Sequence, residues 1–170
     1  MSGLLVRRAE PADHPAVARL TVAAYEADGQ LKGENGYGVA LADVAGRAET
    51  GEVLVAVDEA TGEILGAVLF VLPGTRYAEL SGPGEAEFRM LAVDPAAQGR
   101  GAGSALARAC VARAAELGCS AVVICVRAGM AAAAHQLYAR LGFVRVPEKD
   151  WSPLPGVELL GLRLDLAARR

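Results

Sequence analysis

Gln98-Gly99-Arg100-Gly101-Ala102-Gly103-Ser104 is a glycine-rich turn that leads straight into an alanine-rich stretch of helical composition. Such a turn can bind anions through the main chain. The first N–H groups of a helix have no intrahelical partner and the helix dipole adds partial positive charge, so consecutive amides can hold a pyrophosphate. Glycine permits φ > 0 and keeps Cβ atoms out of the path of a phosphate. The turn alone is equally consistent with a simple entry into a helix. Its surroundings decide the matter: Glu87 to Val93 reads as a strand, Asp94-Pro95 ends it, and the turn and helix follow.

The other chemistry-bearing residues mostly exclude functions. A phosphate-binding NTPase loop needs Lys after its last glycine, and here Ser104 follows Gly103. No Gly-x-Gly-x-x-Gly lies near the N-terminus, as a dinucleotide oxidoreductase would require. His14 and His135 stand far apart without acidic or cysteine neighbours at ligand spacing, so no metal site is expected. Cys110, Cys119 and Cys125 are odd in number, have no Cys-x-x-Cys spacing and fall in apolar segments, which predicts buried free thiols.

Two blocks carry a family resemblance. Glu87 to Leu106 resembles the acetyl-coenzyme A signature of the GNAT family of N-acetyltransferases, Arg/Gln-x-x-Gly-x-Gly/Ala, with Gln98, Gly101 and Gly103 at its fixed positions. Downstream, Ala134-His135-Gln136-Leu137-Tyr138-Ala139-Arg140-Leu141-Gly142-Phe143 is similar to the family's Ala-x-x-Leu-Tyr-x-x-x-Gly-Phe helix and its exit into a strand. The blocks occur in the family's order, with one helix and one apolar strand between them.

The resemblance implies an acetyl-CoA-dependent N-acetyltransferase that transfers acetyl to a primary amine of a small molecule or peptide by direct attack on the thioester. The alternative is a non-catalytic acyl-CoA-binding or sensing module with the same fold. Under the first reading, Gln98 and the amides of Gly99, Arg100, Gly101, Ala102, Gly103 and Ser104 hold the pyrophosphate. The main chain of Leu91, Ala92 and Val93 binds the pantetheine arm and acetyl carbonyl. Tyr138 takes the place of the tyrosine that protonates the departing thiolate, although a phenol near pKa about 10 gives up its proton uphill to a thiol near about 8.5. Glu87 stands where the family often carries a general base, with Glu85 close by; an amine that arrives neutral needs no such base. The family's pantetheine-binding Asn is replaced by Ala131, a loss of about 1 kcal/mol.

These residues need a scaffold. The 170-residue chain suits one domain, and 53% hydrophobic with only 5% aromatic residues predicts a core of Ala, Val and Leu between helices and a sheet. Strands are expected at Leu4–Arg8, Val53–Val57, Glu63–Leu72, Glu87–Val93, Ala121–Val126, Phe143–Val146 and Leu159–Leu166. Helices are expected at His14–Ala27, Val39–Arg47, Ala102–Leu117 and Ala131–Leu141. Lys32–Gly38, Pro73–Gly84 and Lys149–Gly156 read as loops, and Asp58–Gly62 as a hairpin turn. Periodicity supports a mixed sheet with helices on its faces. The resemblance sharpens this to the GNAT α/β fold, a mostly antiparallel central sheet flanked by helices.

A net charge of −3 disfavours nucleic acid and anionic membranes as partners. It also predicts that cationic amines are accepted more readily than acidic ones. Ile64–Leu72, the longest apolar run, is too short to span a bilayer, which with no signal-peptide pattern predicts a cytoplasmic protein; a homodimer is compatible with the reading. Tyr25, Tyr37, Arg76, Tyr77 and Trp151 fall in segments expected to border the acceptor.

Overall fold

The computed structural model describes residues 3–31 and 37–166. Along the chain run β1 (Leu4–Arg8), α1 (His14–Ala27), α2 (Tyr37–Ala42), α3 (Val44–Thr50), β2 (Glu52–Asp58), β3 (Ile64–Val71) and β4 (Glu85–Val93). After them come α4 (Ala102–Glu116), β5 (Ala121–Arg127), α5 (Ala132–Leu141), β6 (Val144–Arg145), β7 (Trp151–Leu154) and β8 (Val157–Asp165). The strands form one sheet in the order β1-β2-β3-β4-β5-β8-β6, with β7 added against β8. Every pairing is antiparallel except β4 with β5. No helix among the described residues is long and apolar enough to cross a membrane.

Alternation along the strands divides the core between the two faces of the sheet. On one face Val68, Phe70, Phe88, Val122 and Ile124 pack against Leu106, Ala107 and Cys110 of α4 and Leu137 and Tyr138 of α5. On the other, Val53, Val55, Val57, Ala67 and Leu69 meet Val17 and Leu20 of α1 and Val44 of α3. The small stripe of α4 lets it sit close to the sheet, and Gly66 completes that fit: a Cβ there would lie 2.9 Å from the Ala92 carbonyl oxygen and 3.1 Å from Leu106.

The site originates where β4 and β5 part. Their parallel pairing is confined to Glu85–Glu87 against Ala121–Val123, yet β4 continues to Val93 and β5 to Arg127. The strands therefore leave a wedge at their carboxyl ends. Helices α4 and α5 both start just beyond it, which is where open parallel sheets place ligands. A bulge reshapes the β4 side: Ala67 faces Ala92 and Leu69 faces Arg89, so Met90 and Leu91 of β4 stand opposite Val68 alone, and Met90 takes φ 56. A left-handed methionine costs roughly 1–2 kcal/mol. Met90 and Leu91 have no partner in the register with either neighbouring strand.

Two expectations are corrected. The helix expected over Val39–Arg47 is two helices, broken at Asp43, whose carboxylate accepts from the Gly46 N–H at 3.0 Å and caps α3. Arg47 is buried and donates to the carbonyls of Ala40 and Leu41 at 3.0 and 2.9 Å, closing the end of α2. In consequence Tyr37 and Gly38 are helical, while residues 32–36 of the expected loop lie outside the described residues. The loop expected over Lys149–Gly156 contains β7, an edge strand that tolerates Pro153 because its other side has no strand to bond.

Candidate functional site

Two concavities meet at the wedge. The larger is a groove of about 530 Å³ that runs along the end of β4 and the starts of α4 and α5. Leu91, Ala92, Val93, Gln98, Gly99, Gly101, Ala102, Gly103 and Ser104 line it. Gly101 is the N-cap of α4 with φ 85 and no side-chain cap, so the helix's first N–H groups stay open to the groove. Nothing lies within 4 Å of where its Cβ would be, so the turn is open on that side. Arg140 also lines the groove. Arg100 does not line it and pairs instead with Asp58 at 3.0 Å, bracing the β2–β3 hairpin against the turn.

The second concavity, a cavity of about 190 Å³, lies between β4, β5, β7 and the helices α1, α2 and α5. Tyr25, Gln30, Leu91, Ala131 and Ala134 line both spaces, so groove and cavity open into one another beside the β4 bulge. Of the residues expected to border an acceptor, Tyr25, Tyr37 and Trp151 line the cavity. Arg76 and Tyr77 do not: the Arg76 guanidinium lies 5.0 Å from the Tyr77 ring centroid, and the Tyr77 carbonyl accepts from Arg89 at 3.0 Å.

Comparison with known proteins gives this arrangement its context. The sequence matches the Acetyltransferase (GNAT) family over residues 18–143. The chain belongs to the GNAT acetyltransferase family. Similar solved structures include a GCN5-related N-acetyltransferase from Kribbella flavida, 27% identical, with TM-score 0.67 over 96% of this chain and 98% of that one. A GNAT family acetyltransferase from Brucella melitensis in complex with acetyl-CoA is 21% identical, with TM-score 0.64 over 97% and 89%. The ribosomal-protein-S18-alanine N-acetyltransferase of Escherichia coli is 19% identical, with TM-score 0.64 over 95% and 93%. No curated protein matches the sequence. The donor of this GNAT acetyltransferase is acetyl-CoA.

Within this GNAT acetyltransferase Tyr138 lines the cavity from α5. Its ring is fixed by edge-to-face contacts with Phe88 and Phe143, at centroid distances of 5.9 and 5.8 Å. Burial pushes its phenol pKa well above the usual value, so the hydroxyl keeps its proton. Among the described residues no hydrogen bond engages that hydroxyl.

Glu87 is placed differently from expectation. It is fully buried and lines neither space. Its carboxylate accepts from the N–H groups of Glu79, Leu80 and Ser81 at 3.0, 3.1 and 3.1 Å and from the Ser81 hydroxyl at 3.0 Å. That geometry is a loop anchor's, with acceptor capacity already directed at the 73–84 connection. Glu85 is also engaged, accepting from the Gly82 N–H at 2.8 Å and pairing with Arg163.

Local sequence reasoning missed Arg89, Cys125, Arg127 and Arg140. An arginine set between Phe88 and the apolar Met90–Val93 end of β4, as Arg89 is, was the available signal. The last turn of the site is held by His135, whose Nε2 lies 2.9 Å from the Arg127 carbonyl; donation to that acceptor requires the Nε2–H tautomer. Ala131, shared by groove and cavity, is the N-cap of α5 at φ 59, ψ 44, with no side-chain cap. Asparagine suits both a left-handed backbone and a cap. Ala131→Asn is therefore expected to raise unfolding free energy by about 1 kcal/mol in urea titrations and to tighten acetyl-CoA binding a few-fold by calorimetry.

Proposed function

We propose that the chain is an acetyl-CoA-dependent N-acetyltransferase that acetylates the primary amine of a small molecule by direct transfer. The observation that carries this reading is the union of groove and cavity through Tyr25, Gln30, Leu91, Ala131 and Ala134. A main-chain anion cradle at one end and a partly enclosed acceptor space at the other place two reactants at one junction. At about 190 Å³ the cavity is smaller than the roughly 300–1,000 Å³ typical of drug-sized ligands, which favours a small amine over a peptide.

Bound in the groove, acetyl-CoA supplies an acyl group already activated as a thioester. The chain's own contributions follow from position. The amides of Ala102, Gly103 and Ser104 hold pyrophosphate, with Gln98 and Arg140 beside them. Met90 and Leu91, without register partners at the bulge, offer peptide groups where the arm and acetyl carbonyl come to rest. Tyr138 holds a proton at Oη for the leaving sulfur and acts as a hydrogen-bond donor, since its raised pKa opposes full transfer.

No Asp or Glu lines the cavity among the described residues. Among the described residues no lining carboxylate takes the amine's proton, which passes to solvent, and Arg89 and Arg127 in the lining favour the neutral amine by charge repulsion. Cys125 also lines the cavity, but burial pushes its thiol up to about 11, with nearby Glu87 adding to the effect against Arg89. A protonated thiol is a poor nucleophile, which favours direct transfer over an acyl-cysteine. Calorimetry with acetyl-CoA and amine-dependent thiol release across an amine panel test the reading. Donor binding with no amine-dependent release from any amine would leave the sensing alternative.

A further inference from the structure

The cavity's charged side chains are all cationic among the described residues. Arg89 and Arg127 line it, and no carboxylate does among the described residues. Arg89 is partly satisfied: it donates to the Tyr77 carbonyl at 3.0 Å and lies 3.7 Å from Glu79. Arg127, at the end of β5, donates only to the Gln30 carbonyl, at 3.3 Å, and joins no ion pair among the described residues. A third donor is independent of the arginines. The indole N–H of Trp151, which can only donate, is buried beside the Cys125 thiol and makes no hydrogen bond of good geometry.

A guanidinium offers five N–H donors in a fork that matches a carboxylate, and in a largely apolar enclosure that match is worth more than in water. A cationic acceptor would bring a third positive charge beside two arginines, of which only Arg89 has a carboxylate near it among the described residues. The lining thus reverses the preference expected from net charge: −3 is a property of the whole surface, whereas the cavity is locally cationic.

We propose that the acceptor is a small amine that also carries a carboxylate, of amino-acid type, and that Arg127 binds the carboxylate while Arg89 adds positive potential. This rests on the acetyltransferase reading above and names the substrate class of the same site. The carboxylate sits toward β5 and β7, leaving the amine toward the junction at Leu91 and Ala131. It also bears on reactivity, because the arginine field that holds the carboxylate lowers the pKa of the amine beside it.

The test compares α-amino acids with their carboxamides, their methyl esters and simple diamines at saturating acetyl-CoA. Free acids are expected to be favoured in kcat/KM by about tenfold or more. In Arg127→Gln that preference should collapse, through a rise in KM for the acids of about 10–100-fold beyond any change seen with the esters, while acetyl-CoA affinity by calorimetry stays unchanged. Arg127→Lys should recover part of the preference. Esters, carboxamides or diamines acetylated as well as the acids, or an Arg127→Gln enzyme that keeps the preference, would overturn the inference while leaving the acetyltransferase reading intact. No turnover of any amine would remove both.

Discussion

Glu87→Gln is expected to destabilise the fold and to spare the chemistry. The carboxylate accepts four hydrogen bonds from the 79–81 segment with no exposure to solvent. Glutamine keeps one acceptor oxygen but turns an NH2 group toward backbone donors and removes the charge that strengthens each bond. The loss should be about 2–4 kcal/mol of unfolding free energy, or a fall in Tm of roughly 5–15 °C for a domain of this size. At temperatures where the variant remains folded, kcat and its pH profile should match the parent. Urea titration together with steady-state kinetics separates the two roles. A general base would give the opposite pattern, with intact stability, a kcat/KM reduced by about 100-fold or more, and a lost acidic limb in the pH profile.

That contrast marks what could be read along the chain. The cradle was legible because its function belongs to the main chain: Gly99, Gly101 and Gly103 ahead of an alanine-rich helix encode open amides through local conformation alone. The hairpin at Asp58–Gly62 and the buried strand Ala121–Arg127 were legible for the same reason, since turn chemistry and apolar run length are local. Glu87 was not, because its role depends on a loop that folds back from six to eight residues upstream to present three N–H groups. The acceptor cavity depends on events still farther apart. It exists because β4 and β5 stop pairing after Glu87 and Val123, and because β7 returns to set Trp151 against it. Arg127 then reads as an ordinary charged strand end until the divergence turns it inward. The break between α2 and α3 had a local sign in Asp43, a helix-capping residue three positions before Gly46, outweighed by an apolar pattern that runs through it.

Tyr138→Phe should behave in the reverse sense to Glu87→Gln. The hydroxyl has no hydrogen-bond partner among the described residues, while the ring is held by Phe88 and Phe143. Removing the oxygen therefore leaves packing intact, and Tm should stay unchanged or rise slightly. The effect falls on the step in which negative charge develops on sulfur. One donor to a charged acceptor, worth about 1.5–3 kcal/mol, corresponds to a fall in kcat of roughly 10–150-fold. Neither the amine KM nor acetyl-CoA affinity should change, because both ground states form without that bond. The pH dependence supplies the sharper check. Burial raises the phenol's pKa, so the proton is retained where an unperturbed tyrosine would begin to lose it, near about pH 10. The parent enzyme should accordingly show no loss of kcat between about pH 8 and 10, as a rising pH only increases the supply of neutral amine. The Phe variant should run parallel to it at lower level. A basic limb in the parent that disappears in the variant would instead make Tyr138 a group that titrates during turnover, and its burial would then have to be relieved when both substrates are bound.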